Sequence, residues 1–487
     1  MNIGQIFENA PDLDVETIMT DSRSKAERGI FFCIQGMVND GHDFIDQAIA
    51  NGAICIVHSR PLKTYQKNIT YLMVKDTNQA LNDFTAAFYG DVTRRMQVFG
   101  VTGTNGKSTI AWVTRWVVDH FTPCGYIGTI GMYYQGKLFD CPLTTPDPVF
   151  LHRSCRQMYD AGCRALALEV SSIGLEEHRV DAVAFDVVSF TNLTHDHLDY
   201  HGNFENYYHA KRKLFTMITP QQKAVINIDD KYGLRLTGET TGKVVTYAIY
   251  RPADYRAVNV RLYPDHTEFT LVYQDRRYSV TTNLVAEFNV YNLLAVIGMT
   301  HEAGYPLDEI LALLKSVPQV LGRMEHIEEG QPFDVLVDYA HTPDGFEKVF
   351  TYGRAITAED KRMIVVFGSA GHRDARKRSE LGQIADRNCK VIILTTEDCR
   401  MEDPEAIAAQ IKEGIQEHPC TFVEDRFAAI QQALEIANPG DTVLILGKGD
   451  ETYQDLRDGK QHWMGDNVAA RQILRNLYGG TAKGDGK

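Results

Sequence analysis

The sequence predicts an α/β protein of three consecutive domains, and three observations carry that prediction. Its 487 residues exceed what a single core organises. Short apolar runs alternate with helix-patterned segments along most of the chain, as βαβ units require. A glycine-rich stretch, Thr102 to Thr109, falls between a strand-like run and a helix-like one. The expected divisions are a small N-terminal α/β domain over 1–95, a central domain with a mostly parallel sheet over 96–321, and a C-terminal Rossmann-like, doubly wound domain over 322–487.

In the first domain IFFCIQG, AICIVH and YLMVKD read as strands and HDFIDQAIANG as a helix. The charged segment GDVTRRMQ marks a break before the strand VFGVTG. Beyond it ALALEV, VVSFTNL and AVINID alternate with helical patterns, as parallel pairing requires. Residues 243–285 carry shorter, closely spaced strands (VVTYAI, AVNVRLY, TEFTLVY, RYSVTTNLV), which predicts an antiparallel insertion or edge. After VLGRMEHI a third alternation, FDVLVDY, RMIVVFG, CKVIILT and DTVLILG, predicts the doubly wound sheet, with its loops at the carboxyl ends of the strands. The tail GGTAKGDGK is expected to fray.

Composition narrows the class. Hydrophobic residues at 44% and charged residues at 23% are globular values. No basic segment followed by an apolar core opens the chain, and no run approaches the roughly 18 apolar residues that span a bilayer, so a cytoplasmic protein without membrane insertion is expected. The nine cysteines include no C-x-x-C pair, and the odd count favours reduced thiols over a disulfide framework or zinc cluster. A formal charge of −14 works against nucleic acid as a partner.

The chemistry starts at Gly103, Thr104, Asn105, Gly106, Lys107, Ser108 and Thr109. Strand, glycine loop, lysine, hydroxyl residue and helix in that order make a phosphate cradle: backbone N–H groups converge on phosphate oxygens, the helix N-terminus adds partial positive charge, and Lys107 adds a full one. This is the pattern of a P-loop-type ATPase domain, with Ser108 placed to meet Mg²⁺. The strict form G-x-x-x-x-G-K-[ST] is not met, because Val101 stands five positions before Gly106. Glu169 ends the strand ALALEV and His197 lies in the polar loop FTNLTHDHLDYHG, so one carboxylate and one imidazole at strand ends could hold a divalent cation beside the loop. Lys211, in YHAKRKLF, reads by itself equally as a solvated helix charge.

The form T-G-T-N-G-K-S-T resembles the loop of the Mur ligase family, and the resemblance runs along nearly the whole chain. It implies that Ser108, Glu169 and His197 bind metal, and that Lys211, in a segment similar to Y-x-x-A-K-x-x-L-F, carries a CO₂-derived carbamate that ligates a second Mg²⁺. INIDD (Asn227, Asp229, Asp230) and EFNVYN (Asn289, Asn292) resemble the segments around adenine and ribose, with Ala286 in place of a usual glycine. Arg323 of LGRMEHI, and Asp338, Tyr339, His341 and Pro343 of VDYAHTPDG, match the hinge and ATP-facing segments. An arginine contributed by another domain would stabilise transferring phosphoryl charge and couple closure to chemistry.

The remaining matches point to the branch that adds the third amino acid of the peptidoglycan stem peptide. FGSAGHRDARKR keeps the glycines and basic residues of the family loop, including Gly368, Gly371, Arg373, Asp374, Lys377 and Arg378, with His372 replacing an aspartate; Arg376 of this segment is an implied substrate contact. Glu397, Asp398, Cys399 and Arg400 stand where enzymes using meso-diaminopimelate carry D-N-P-R. Arg400 would grip a distal carboxylate that L-lysine lacks. Gly447 and Glu451 of LGKGDETYQ would face the distal amine. Asp21, Ser22 and Arg23, with Gly36 to Gly41, resemble uridine-nucleotide turns; Thr144, Thr145, Pro146, Ser171 and Arg179 resemble contacts to the muramoyl-dipeptide, with Glu177 where glutamine is common.

The resemblance implies an ATP-dependent ligase, expected to be a monomer, that phosphorylates the D-glutamate carboxylate of UDP-MurNAc-L-Ala-D-Glu and joins a diamino acid to it, with meso-diaminopimelate favoured and L-lysine the alternative. A family member acting on folate or amino-acid polymers is the second reading, against which the Asp21-Ser22-Arg23, EDCR and GKGDE segments argue together. A non-catalytic nucleotide-binding homologue is the third, and intact Lys107, Glu169, His197 and Lys211 argue against it.

Overall fold

The computed structural model describes residues 1–8, 10–36, 39–263 and 265–479. Met37 and Val38 of the turn Gly36 to Gly41, and the tail beyond Gly479, lie outside the described residues. Three sheets follow one another along the chain, with a two-stranded hairpin near the end. Among the described residues no helix is long and apolar enough to cross a membrane.

The first sheet is parallel, in the order Thr17–Met19, Gly29–Phe32, Ala53–His58, Thr70–Met73. Its edge strand Thr17–Met19 has only three residues and leaves no periodic signal in the sequence. Helix Thr77–Phe88 is capped by the Asp76 carboxylate, which accepts from the N–H groups of Asn78 and Gln79, and it lays Leu81 and Phe84 against Phe32 and Val57.

The second sheet has eleven strands, and its middle is parallel: Cys124–Gly128, Ala165–Glu169, Gln97–Thr102, Val187–Phe190, Lys223–Asn227 and Lys243–Ala248 lie side by side. Of the two forms expected for 243–285, the antiparallel edge is present over part of the segment and the insertion is not. Lys243–Ala248 continues the parallel sheet, and Tyr255–Leu262 joins it in parallel; only Thr267–Tyr273 and Arg276–Thr282 turn antiparallel. Nothing is inserted: the meander extends the same sheet. Helices Lys107–Asp119 and Glu287–Glu302 pack against one another on one face, the latter buried on nearly every side from Asn292 to Thr300.

In the third sheet Asp334–Asp338, Thr442–Leu446, Met363–Phe367, Val391–Thr395 and Cys420–Val423 are parallel, and Glu325–His326 adds a short antiparallel edge. The chain leaves the middle of this sheet in both directions, so loops gather at the strands' carboxyl ends. Those ends face the corresponding ends of the central sheet across a cleft.

Candidate active site

The cleft encloses about 1640 Å³ and is lined by the phosphate loop, Glu169, His197, the 286–292 segment, Arg323, Asp338, His341, Arg400 and Glu451. Most of these residues end parallel strands or lie in the loops that follow them, which is why distant motifs converge.

Strand Gln97–Thr102 delivers the chain into the loop, and helix Lys107–Asp119 begins at Lys107. Gly103 and Gly106 have φ of 154° and 90°, and a Cβ on Gly103 would lie 1.7 Å from Thr191 Oγ1. Only glycine fits there. Lys107 Nζ curls inside the loop and donates to the carbonyls of Gly103 (3.0 Å) and Thr104 (2.8 Å). Burial draws its pKa down, opposed by the charges of Glu169 and Asp196.

Glu169 is fully buried and saturated with donors: Tyr126 OH at 2.5 Å, the Thr129 N–H at 2.9 Å and Ser108 Oγ at 3.0 Å. Ser108 and Glu169 thus place two hard oxygen ligands together, the donor chemistry of Mg²⁺. Among the described residues no three His, Cys, Asp or Glu side chains form a cluster able to hold an ion alone. A cation shared with nucleotide phosphates fits this pair.

Lys211 is not a solvated charge. Helix Phe204–Met217 buries Tyr207, Lys211, Leu214 and Phe215 along one face, and Lys211 is 1% exposed. Its Nζ donates to Gly103 O at 2.7 Å and lies 4.5 Å from the Tyr207 ring centre, beneath the loop rather than on the cleft wall. Burial, then the neighbouring Lys107 charge, hold its pKa well below the usual lysine value.

His197 lines the cleft in a left-handed conformation, φ 51°, with Nε2 3.3 Å from Asp196 Oδ2. Burial, with the charges of Lys107 and Lys211, lowers its pKa against the pull of Asp196. Asp196, which the motif reading passed over, is the negative centre of this corner. Burial alone would raise its pKa, but His197, His341, Lys377 and Lys107 pull it far below the carboxylate range.

The third domain supplies the opposite wall. Arg323 lies over the Tyr339 ring at 4.2 Å, with Nη2 3.4 Å from Ser108 Oγ. Asp338 accepts from the N–H groups of Met324 and Ala340, each at 2.7 Å, and so ties the turn after Arg323 to the end of strand Asp334–Asp338. His341 lies 4.0 Å from Asp196, and burial takes its pKa down to about 4. Two contacts clamp the domains: Asn105 Nδ2 donates to Asp344 Oδ2 at 2.8 Å, and His195 Nε2 lies 2.8 Å from Asp374 Oδ2. Asp344 was legible only as part of the HTPD string.

Asn292 donates to Asn289 Oδ1 at 2.9 Å, and its own Oδ1 closes against Gly106. Next to Glu169, Thr145 Oγ1 links the strand end to the Ser171 N–H, Ser171 Oγ caps helix Ser172–Glu176, and Thr144 Oγ1 meets Thr129 Oγ1 at 3.0 Å. Arg179 donates to Thr145 O at 2.7 Å and pairs with Glu177, so the unusual acid neutralises the arginine beside it. Ser22 donates to Gln47 Oε1 at 2.7 Å and stands apart from the cleft lining.

At the far end Arg400, Asp398 and Glu451 line the cleft. Lys448, 1% exposed, donates to Asp398 Oδ1 at 2.9 Å and to Glu451, which also accepts from Tyr339 OH at 3.0 Å. Those two carboxylates raise the Lys448 pKa against the effect of burial. Burial pushes Asp450, also on the cleft wall, up to about 6. Three expected contacts fall off this wall. Arg376 is exposed and paired with Asp374 at 2.9 Å. Glu397 turns inward against Gly447, its Oε2 without a hydrogen-bond partner and its pKa raised by burial, so neither residue lines the cleft.

Fold and cleft together define a three-domain nucleotide-dependent enzyme that closes a phosphate loop against a second α/β domain. Residues 14–89 match the Mur ligase family catalytic domain, 101–300 the Mur ligase middle domain and 322–449 the Mur ligase glutamate ligase domain. The chain belongs to the Mur ligase family. A UDP-N-acetylmuramoyl-L-alanyl-D-glutamate--2,6-diaminopimelate ligase of Halalkalibacterium halodurans is 38% identical over 477 residues, 97% of this chain and 96% of that protein. One of the same name from Clostridium botulinum is 36% identical over 455 residues, 92% of this chain and 93% of its own length. A solved structure with that ligase name superposes with a TM-score of 0.70 at 29% identity, covering 98% of this chain and 99% of that one.

Proposed function

We propose that this chain is the ATP-dependent ligase that joins meso-diaminopimelate to the D-glutamate carboxylate of UDP-MurNAc-L-Ala-D-Glu in cytoplasmic peptidoglycan precursor synthesis. The observation that carries the reading is one cleft with the phosphate loop and the Ser108–Glu169 pair at one end and the Arg400, Lys448 and Glu451 network at the other. Both relatives and the solved structure named above add diaminopimelate by their printed names.

The loop N–H groups and Lys107 bind the phosphates and offset charge as the terminal phosphoryl group moves to the substrate carboxylate. Arg323, contributed by the third domain, reaches across the cleft to Ser108 at the same point. The incoming amine, held from the third domain, then attacks the acyl phosphate; the amide forms and phosphate leaves. Mg²⁺ would be held by Ser108 and Glu169, with His197 beside it, and would neutralise phosphate oxygens.

Lys211 is suited to carbamylation. The lowered pKa favours the unprotonated amine, the form that adds to CO₂ with release of one proton and leaves a carbamate anion beside Lys107 that would ligate a second metal ion. Isotopically labelled bicarbonate should give a carbamate carbon resonance in the wild type that Lys211→Ala lacks.

The decisive assay is ADP release with ATP, the uridine dipeptide and a panel of amines. Turnover should require both acceptor and amine, and meso-diaminopimelate should exceed L-lysine in kcat/KM by about tenfold or more. Equal or better use of L-lysine would overturn the amino-acid assignment.

A further inference from the structure

Asp455 lies in strand Tyr453–Leu456, which pairs with Gly459–His462 to form the terminal hairpin. Three bonds tie it to the amino-acid end of the cleft. The Arg400 N–H donates to Asp455 O at 2.8 Å, Arg400 Nε donates to Asp455 Oδ2 at 3.1 Å, and the Asp455 N–H donates to Asp398 Oδ1 at 2.9 Å. Arg400 Nη1 meanwhile donates to Gly371 O at 2.5 Å. The arginine backbone is left-handed, φ 51°, so it is held in a conformation the chain would not choose alone. Arg400 and Asp455 both line the cleft, and among the described residues Arg400 Nη2 has no protein partner.

We propose that Asp455 is the positioning residue for Arg400: it grips the guanidinium by its Nε edge and leaves Nη2 as the edge that recognises the distal carboxylate of the diamino acid. The proposal rests on the functional reading above. A free arginine side chain samples many rotamers, whereas one pinned at Nε and Nη1 presents its remaining N–H groups in a single direction. Asp455 also offsets the guanidinium charge, so recognition relies on direction rather than on an exposed cation.

The test is steady-state kinetics of Asp455→Ala and Asp455→Asn with meso-diaminopimelate and with L-lysine. Asp455→Ala should raise KM for meso-diaminopimelate about tenfold while KM for ATP, KM for the uridine substrate and turnover of L-lysine stay as in the wild type. Asp455→Asn keeps an acceptor for Nε and should recover most of the loss. An unchanged or lower KM for meso-diaminopimelate in Asp455→Ala would mean that the acid masks the arginine, and the proposal falls. It falls equally if L-lysine and ATP suffer alongside, or if asparagine rescues nothing. Failure of the functional reading is distinguishable, because it shows in the wild type as an inability to use meso-diaminopimelate.

Discussion

At the phosphate loop the anion-facing surface is mostly main chain: glycines at φ 154° and 90°, a helix N-terminus and one lysine, braced by Thr191, Asn192 and Asn292. At the amino-acid end it is side chains: Arg400 against Asp455, and Lys448 shared by Asp398 and Glu451. Backbone geometry tolerates little variation, because a single Cβ at Gly103 would collide with Thr191. Side-chain ion pairs can be rewired one partner at a time, provided every buried charge keeps a partner. On the proposed function, the nucleotide end therefore sets whether the enzyme works, and the amino-acid end sets on what.

The hardest break of that contrast is Lys107→Ala. It should lower ligation at saturating amine by roughly a hundredfold to a thousandfold, whichever amine is used. The loop stays closed by Thr191 and Asn192, so the circular dichroism spectrum should be unchanged. Ligation at the wild-type rate would remove the phosphate-loop assignment. Next in size, Lys211→Ala should cost about tenfold to a hundredfold, because it removes the proposed carbamate ligand of the second metal ion and the bond to Gly103 O. Short carboxylic acids should restore part of it by supplying an anion. No rescue, in a variant that still binds nucleotide, would argue that the Gly103 bond is the whole effect.

Arg400→Ala sharpens the other half. It should leave ATP binding intact and erase most of the preference for meso-diaminopimelate over L-lysine, about tenfold or more, since a lost charge-assisted hydrogen bond is worth ~1.5 to 3 kcal/mol. A uniform fall with both amines would show that Arg400 holds the hairpin through Asp455 rather than reading the substrate.

The same contrast explains what was legible in the sequence. Alternating apolar runs revealed the three sheets, and ordered motifs located the loop, Glu169, His197 and Arg323 on one cleft. Strand Thr17–Met19 was too short to register, and the parallel pairing of Lys243–Ala248 is invisible because strand direction has no periodicity of its own. Partners of charged residues were hidden as well. Asp196, Asp344 and Asp455 sat in or beside quoted strings, yet an aspartate in a loop reads alike whether it faces water, clamps two domains or steers an arginine. Lys211 was ambiguous until the buried face of its helix was known.

The smallest expected effect lies at Ala286, where the nucleotide end departs from the backbone rule it otherwise obeys. Ala286 precedes helix Glu287–Glu302 with φ 73° and ψ 149°, a region open to glycine and strained for alanine by about 1 to 3 kcal/mol. Its methyl is 1% exposed and packs in the cluster that includes Val285 and Met324. Ala286→Gly would forfeit roughly 0.8 kcal/mol of methyl burial, and the freer unfolded chain would subtract about 0.4 to 1 kcal/mol more. These losses nearly cancel the strain relief. The variant should therefore keep its melting temperature to within a few degrees and its KM for ATP to within about twofold, whereas a fully buried alanine in relaxed backbone, such as Ala295 within the helix, should be clearly destabilised by the same change. Equal losses at the two positions would show that the Ala286 backbone carries no strain, and that the helix entering the nucleotide site tolerates a side chain where the phosphate loop does not.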